Sequence, residues 1–308
     1  MIVVIAGIVL MLYPYISEYF FENRVDSEIM AYKECINKTV DQQYQRMLEQ
    51  AEEYNSYLQK SQMQLTDPFA NTEGTEEQPV YESLLQVDDS GIIGYVEIPT
   101  IGVKLPVYQG TSAGDLERGV GHLKGSSLPV GGKGTHAVLT GHTGLSQAKL
   151  LSDLTEMKEG DVFYIYVLGR QLAYEVYATS VVLPEDTEQL RIEKDKDLVT
   201  IVTCTPYGIN THRLFVHGKR IPFSEPQYQK ELSKTPVTLN SRWRSAYGRA
   251  LLAGGMFAVC LIVLLVLDIR KIIGVTLVII GCITFMSPEI VQEYYQIRTK
   301  ATLKMYDE

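Results

Sequence analysis

Residues 198–220 read LVTIVTCTPYGINTHRLFVHGKR. The runs 198–204 and 213–220 carry Val, Ile, Leu, Thr and Phe, side chains that fit a pleated, half-buried surface. Proline cannot donate to a strand ladder, so Pro206 ends the first run just after Cys204. The segment between them, TPYGINTH, is long enough to bring the second run back antiparallel to the first. That arrangement sets Cys204, at the end of one strand, beside Arg213, at the start of the next.

The same texture begins at Gly91. Runs at 94–98, 103–107, 137–140, 162–166 and 172–181 alternate with Gly, Pro and Thr. Several short strands broken by turn residues predict a mainly β fold, a barrel or a sandwich. One short helix is expected over 147–155 (QAKLLSDLT), after a glycine-containing turn. Further upstream, residues 22–60 are polar, rich in Glu, Gln and Tyr, and free of Gly and Pro. Ala51, Tyr54, Asn55 and Leu58 recur there at helical spacing, which predicts one or two helices packing on the β domain. The acidic stretch 66–80 (TDPFANTEGTEEQPV) reads as a loop, although Phe69 within it needs a surface to rest on.

The two ends are apolar. Residues 1–13 (MIVVIAGIVLMLY), interrupted by Pro14 and continuing to Phe21, predict an uncleaved membrane anchor. Residues 250–267 are uncharged, and 18 helical residues reach about 27 Å, enough for a span. A second run, 272–286, either continues a broken helix or returns as a hairpin with Arg270 and Lys271 at its turn. The expected order is an anchor at 1–21, a helical stalk at 22–65, a loop at 66–80, the β domain at 81–225, a linker at 226–249, membrane segments at 250–286 and a tail at 287–308.

A formal net charge of −9 argues against nucleic acid as a partner, because phosphate binding needs clustered Lys and Arg. Of the four cysteines, Cys260 and Cys282 lie in apolar runs, leaving Cys35 and Cys204 for the exposed part. Those two could form one disulfide, but no disulfide framework or CxxC pair surrounds them. No HxH or HExxH pattern appears among His122, His136, His142, His212 and His217, so neither a metal site nor a cofactor is expected.

A cysteine at a strand end beside a loop serves either as a buried structural thiol or as a nucleophile at a rim. His142 sits in LTGHTG, where another apolar strand runs into a glycine-containing turn. A Cys and a His at two strand mouths suit nucleophilic catalysis, because imidazole can hold the thiolate and later protonate a leaving amine. Arg213 either caps its strand or donates to an oxyanion.

These residues resemble the sortases, and among them the pilin-polymerising class C enzymes. The family signature Thr-Leu-X-Thr-Cys appears as Thr200-Ile201-Val202-Thr203-Cys204, with Ile in place of Leu. CTPYGINTHRL (204–214), GYVEIPTIGVKLPVY (94–108), GSSLPVGG (125–132) and LTGHTGL (139–145) are also similar, and the resemblance spans roughly residues 30–270. It implies an eight-stranded β-barrel with N-terminal helices and flanking transmembrane helices, outside the membrane of a Gram-positive cell. It implies that Cys204 attacks the Thr–Gly bond of a Leu-Pro-X-Thr-Gly-like sorting signal and forms a thioester. A lysine of another pilin subunit then resolves it as an isopeptide, with His142 as acid then base and Arg213 on the oxyanion. Asp67-Pro68-Phe69 is similar to the class C lid, with Asp67 expected on Arg213 and Phe69 over the Cys204 region. Two other readings stay open: a cysteine endopeptidase in which water is the acceptor, and a non-catalytic surface module.

Overall fold

The computed structural model describes residues 2–38, 41–61, 65–69, 79–143, 148–206, 208–234 and 236–237. The chain divides into two compact units, Met1–Val237 and Thr238–Glu308. The second lies outside the described residues, and with it the expected membrane segments at 250–286, the tail, Cys260 and Cys282.

Eight strands form a closed barrel: β1 (Ile92–Ile98), β2 (Val103–Gln109), β3 (Val120–His122), β4 (Thr135–Thr140), β5 (Val162–Val167), β6 (Arg170–Val182), β7 (Asp197–Thr205) and β8 (His212–Ile221). Their order around it is β1-β2-β3-β4-β7-β8-β6-β5. The β2–β3 and β4–β7 pairs are parallel and the others antiparallel. Closure leaves no sheet edge, so a domain built from short strands has no open ladder to cover. The sequence reading did not pick out β3. Its three residues are too few for an alternating pattern, and pairing on both sides makes them a strand.

Two long helices flank the barrel. α1 (Ile2–Lys38) continues through Pro14. One proline removes a single backbone donor, and the intact turns on either side carry the helix across. α1 buries Val25, Ile29 and Tyr32, and the Tyr32 hydroxyl donates to the Ile93 carbonyl at 3.1 Å. α2 (Asp41–Ser61) buries Ala51, Tyr54, Asn55 and Leu58, the stripe read from the sequence. The Asn55 amide clamps Leu128, donating to its carbonyl at 3.0 Å and accepting from its N–H at 2.7 Å. Among the described residues no helix is long and apolar enough to cross a membrane.

Three short helices complete the described unit: α3 (Pro79–Glu82), α4 (Ala113–Arg118) and α5 (Glu225–Leu232). α5 occupies the start of the expected linker. The helix expected over 147–155 does not form at its described residues. Leu150 takes a positive φ of 41°, which breaks the α-helical path, and turns lead to a single 3-10 turn at Leu154–Glu156.

Candidate active site

β7 and β8 pair antiparallel with Cys204 directly opposite Arg213. The outward row below them pairs Val202 with Phe215, and the next pairs Thr200 with His217. Val138, Val182, Val202, Phe215, Leu123 and Leu190 make an apolar floor on this face. Cys204 is 9% exposed and Arg213 7%. No disulfide joins Cys204 to Cys35; the Cys35 thiol donates to Asp88 Oδ2 at 3.4 Å.

His142 lies just beyond β4, half-buried. Three backbone contacts fix its place. Gly141 donates to the Val202 carbonyl at 3.1 Å, the Thr203 hydroxyl donates to the Gly141 carbonyl at 2.7 Å, and Leu151 donates to the His142 carbonyl at 3.2 Å. A Cβ on Gly141 would come within 2.8 Å of the Leu151 side chain, so the close approach needs glycine there.

Residues 65–69 lie across the floor. Arg213 donates from Nε to Asp67 Oδ1 at 2.8 Å and from a terminal nitrogen to Oδ2 at 2.6 Å. Its other terminal nitrogen holds the Asn210 and His212 carbonyls at 3.1 and 3.2 Å. The guanidinium carbon stands 5.0 Å from the centre of the Phe69 ring. That ring lies 5.7 Å from the His142 ring, so Phe69 bridges the imidazole and the guanidinium. Leu65 and Phe69 pack against the apolar floor, and Pro68 is buried. The phenylalanine that seemed out of place in an acidic loop thus has its surface.

The electrostatics follow from burial. Desolvation pushes the Cys204 thiol above its ordinary value; the Arg213 charge opposes this and the Asp67 charge adds to it. Desolvation pushes the His142 imidazole below its ordinary value, with Glu117 opposing. Both shifts, upward for the thiol and downward for the imidazole, favour the neutral forms over thiolate and imidazolium. Asp67 also occupies two of the guanidinium donors.

The structure brings Cys204, Arg213, Asp67, Pro68, Phe69 and His142 into one neighbourhood. His122, His136 and His217 are buried in hydrogen-bond networks elsewhere. The sequence reading missed Leu65, Thr187 and Leu190. The Thr187 hydroxyl donates to the Leu65 carbonyl at 2.9 Å, and Leu190 is fully buried in the floor. An isolated leucine in the polar run EDTEQLRIEK was the available signal for the last of these.

The profile of the family described as the sortase domain matches residues 96–221. Sortase D of Bacillus subtilis is 28% identical over 155 residues, covering 49% of this chain and 75% of that protein. Sortase C1 of GBS pilus island 1 superposes with a TM-score of 0.59 at 42% identity, over 65% of this chain and 94% of that one. Sortase C-1 of Actinomyces oris superposes with a TM-score of 0.55 at 46% identity, over 58% of this chain and 99% of that one. Barrel, cysteine strand and the shared sequence agree: the chain belongs to the sortase family of cysteine transpeptidases, among its class C members.

Proposed function

We propose that the chain cleaves a Leu-Pro-X-Thr-Gly-like sorting signal between Thr and Gly and joins pilin subunits through a lysine isopeptide bond. The observation that carries this is the cross-strand pair Cys204–Arg213, with Phe69 lying between Arg213 and His142 over the apolar floor. When 65–69 withdraws, the floor is left for the apolar part of the signal and Arg213 regains its two donors. The reaction then runs as follows. His142 takes the Cys204 proton, and the thiolate attacks the threonine carbonyl carbon. Arg213 donates to the oxyanion that develops. The C–N bond breaks, the leaving glycine amine takes the proton from His142, and a thioester remains. A lysine amine attacks the thioester while His142 accepts its proton; the C–S bond breaks, the isopeptide leaves and the thiolate is regenerated. Residues 1–21 and 250–286 tether the domain to the outer face of a Gram-positive membrane, and the reaction requires no cofactor.

The test uses the full chain in detergent micelles, incubated with a Leu-Pro-X-Thr-Gly peptide and read by intact mass. An acyl adduct on the wild type, absent from Cys204→Ala, supports the reading. Ligation on addition of a lysine-bearing acceptor separates a transpeptidase from an endopeptidase. If neither the wild type nor Asp67→Ala forms an adduct, the substrate assignment is wrong.

A further inference from the structure

Two rows from Cys204 the outer face of the sheet turns polar. Thr200 lies four residues before Cys204 on β7, about 13 Å away at strand spacing. His136, Thr200 and His217 are buried there, yet their polar atoms are linked. His136 Nδ1 is 2.9 Å from the Arg191 carbonyl, and its Nε2 is 2.7 Å from the Thr200 hydroxyl. The Thr200 hydroxyl is 2.8 Å from His217 Nδ1. His217 Nε2 is 3.2 Å from the Ser180 hydroxyl and 3.1 Å from the side-chain amide of Gln189. Ser180 and that amide are 2.6 Å apart.

Counting protons makes the chain directional. A carbonyl only accepts, so His136 donates from Nδ1 to Arg191 and accepts at Nε2. Thr200 therefore donates to His136, and its oxygen accepts from Nδ1 of His217. Ser180 donates its proton to the Gln189 side-chain oxygen at 2.6 Å, and His217 Nε2 faces both that oxygen and the Ser180 hydroxyl. The chain links Gln189 to Arg191, two residues of one connection between β6 and β7, through side chains of four strands. Between those residues stands Leu190, buried in the apolar floor. Just before them stands Thr187, bonded to Leu65.

We propose that Thr200, His217 and Gln189 are positioning residues for sorting-signal recognition: their chain clamps residues 187–191 across the sheet so that Leu190 walls the apolar floor beside Cys204. The inference rests on the substrate reading above. A merely structural network would alter stability and leave discrimination between substrates alone. A clamp sets the shape of the site, so weakening it lowers affinity for the signal without touching the chemistry at Cys204.

The experiment uses the full chain carrying Asp67→Ala, with Thr200→Val, Gln189→Leu and Thr200→Ser added singly. KM and kcat for the Leu-Pro-X-Thr-Gly peptide, iodoacetamide alkylation of Cys204, and hydrogen exchange of residues 187–191 are measured. Thr200→Val and Gln189→Leu are expected to raise KM about tenfold, as loss of one buried hydrogen bond would. Exchange at 187–191 should quicken while kcat and alkylation stay near the parent. Thr200→Ser keeps the hydroxyl and should restore KM. Unchanged KM, or a fall in kcat and alkylation together at constant KM, overturns the clamp. If the parent is not acylated at all, the substrate reading fails. Exchange at 187–191 then still decides the clamp: faster exchange supports it and unaltered exchange overturns it.

Discussion

Arg213 gives Nε and one terminal nitrogen to the two carboxylate oxygens of Asp67, a residue 146 positions away in sequence. Both partners are largely buried, with side chains 9% and 13% exposed, so water screens the pair little. Asp67 thus takes two of the Arg213 donors and sets a negative charge beside the Cys204 thiol.

Asp67→Ala should speed iodoacetamide alkylation of Cys204 and turnover of a sorting-signal peptide by about tenfold, the effect of one relieved charge-assisted bond. Stopped-time mass spectrometry reads both. Unchanged rates would remove any gating role for residues 65–69.

The pH dependence of alkylation should move with the same change. In the wild type the Cys204 thiol lies above its ordinary value through burial, so its reactivity climbs only on the alkaline side. Removing Asp67 takes away a charge that raises the thiol and frees the Arg213 charge that lowers it, so the midpoint should shift toward acid. A midpoint that stays put would show that burial alone sets it.

Acid should destabilise the barrel through two histidines. Burial pushes His122 and His217 down from 6.5 to about 4. The unfolded chain binds protons first as pH falls through 6.5, so stability present above that value is lost progressively toward pH 4. Each site contributes roughly 3 kcal/mol across that window. Thermal melts between pH 7 and 4 measure it, and His122→Gln should flatten the curve even though it lowers stability at pH 7.

Gly141→Ala should cut turnover by tenfold or more, on the order of 1.4 kcal/mol in the barrier, with a smaller loss of stability. The added methyl meets Leu151 at 2.8 Å and displaces the loop that holds His142. Leu151→Ala in the same chain makes room and should recover part of the activity; no recovery would place the fault elsewhere.

Asn55→Ala tests the join between α2 and the barrel. It strips the buried Leu128 N–H of its partner, while the Leu128 carbonyl keeps the Val130 N–H at 2.8 Å, at a cost of about 1–3 kcal/mol. Urea denaturation should show that loss with Cys204 alkylation unaltered.

What could be read in the sequence and what could not divide along physical lines. The β7–β8 pairing was legible because Pro206 stops one strand and only the eight residues TPYGINTH separate Cys204 from Arg213, which fixes a short return. The α2 stripe was legible because Ala51, Tyr54, Asn55 and Leu58 repeat at helical spacing. Asp67 and Phe69 came from family likeness, and their contacts on Arg213 and the floor depend on a fold that no local pattern encodes. The helix expected at 147–155 failed because good helix formers there yield to the tight packing around Gly141, which puts Leu150 at positive φ. The His136–Thr200–His217 chain was invisible for a similar reason. Its members lie on β4, β7 and β8, and the parallel β4–β7 pairing sets His136 beside Thr200 from 64 positions away in sequence.

The unbroken course of α1 has a mechanical consequence. Thirteen residues lie between its apolar end near residue 12 and Val25, where it grips the barrel, and they make a rod of about 20 Å. A catalytic unit on a rod cannot roam as one on a loose string would. Whatever surface receives the apolar end holds the cleft at a set height and bearing. Substrates must come to that level, and consecutive donors and acceptors meet there in one repeated orientation, as parts meet at a fixed station on an assembly line.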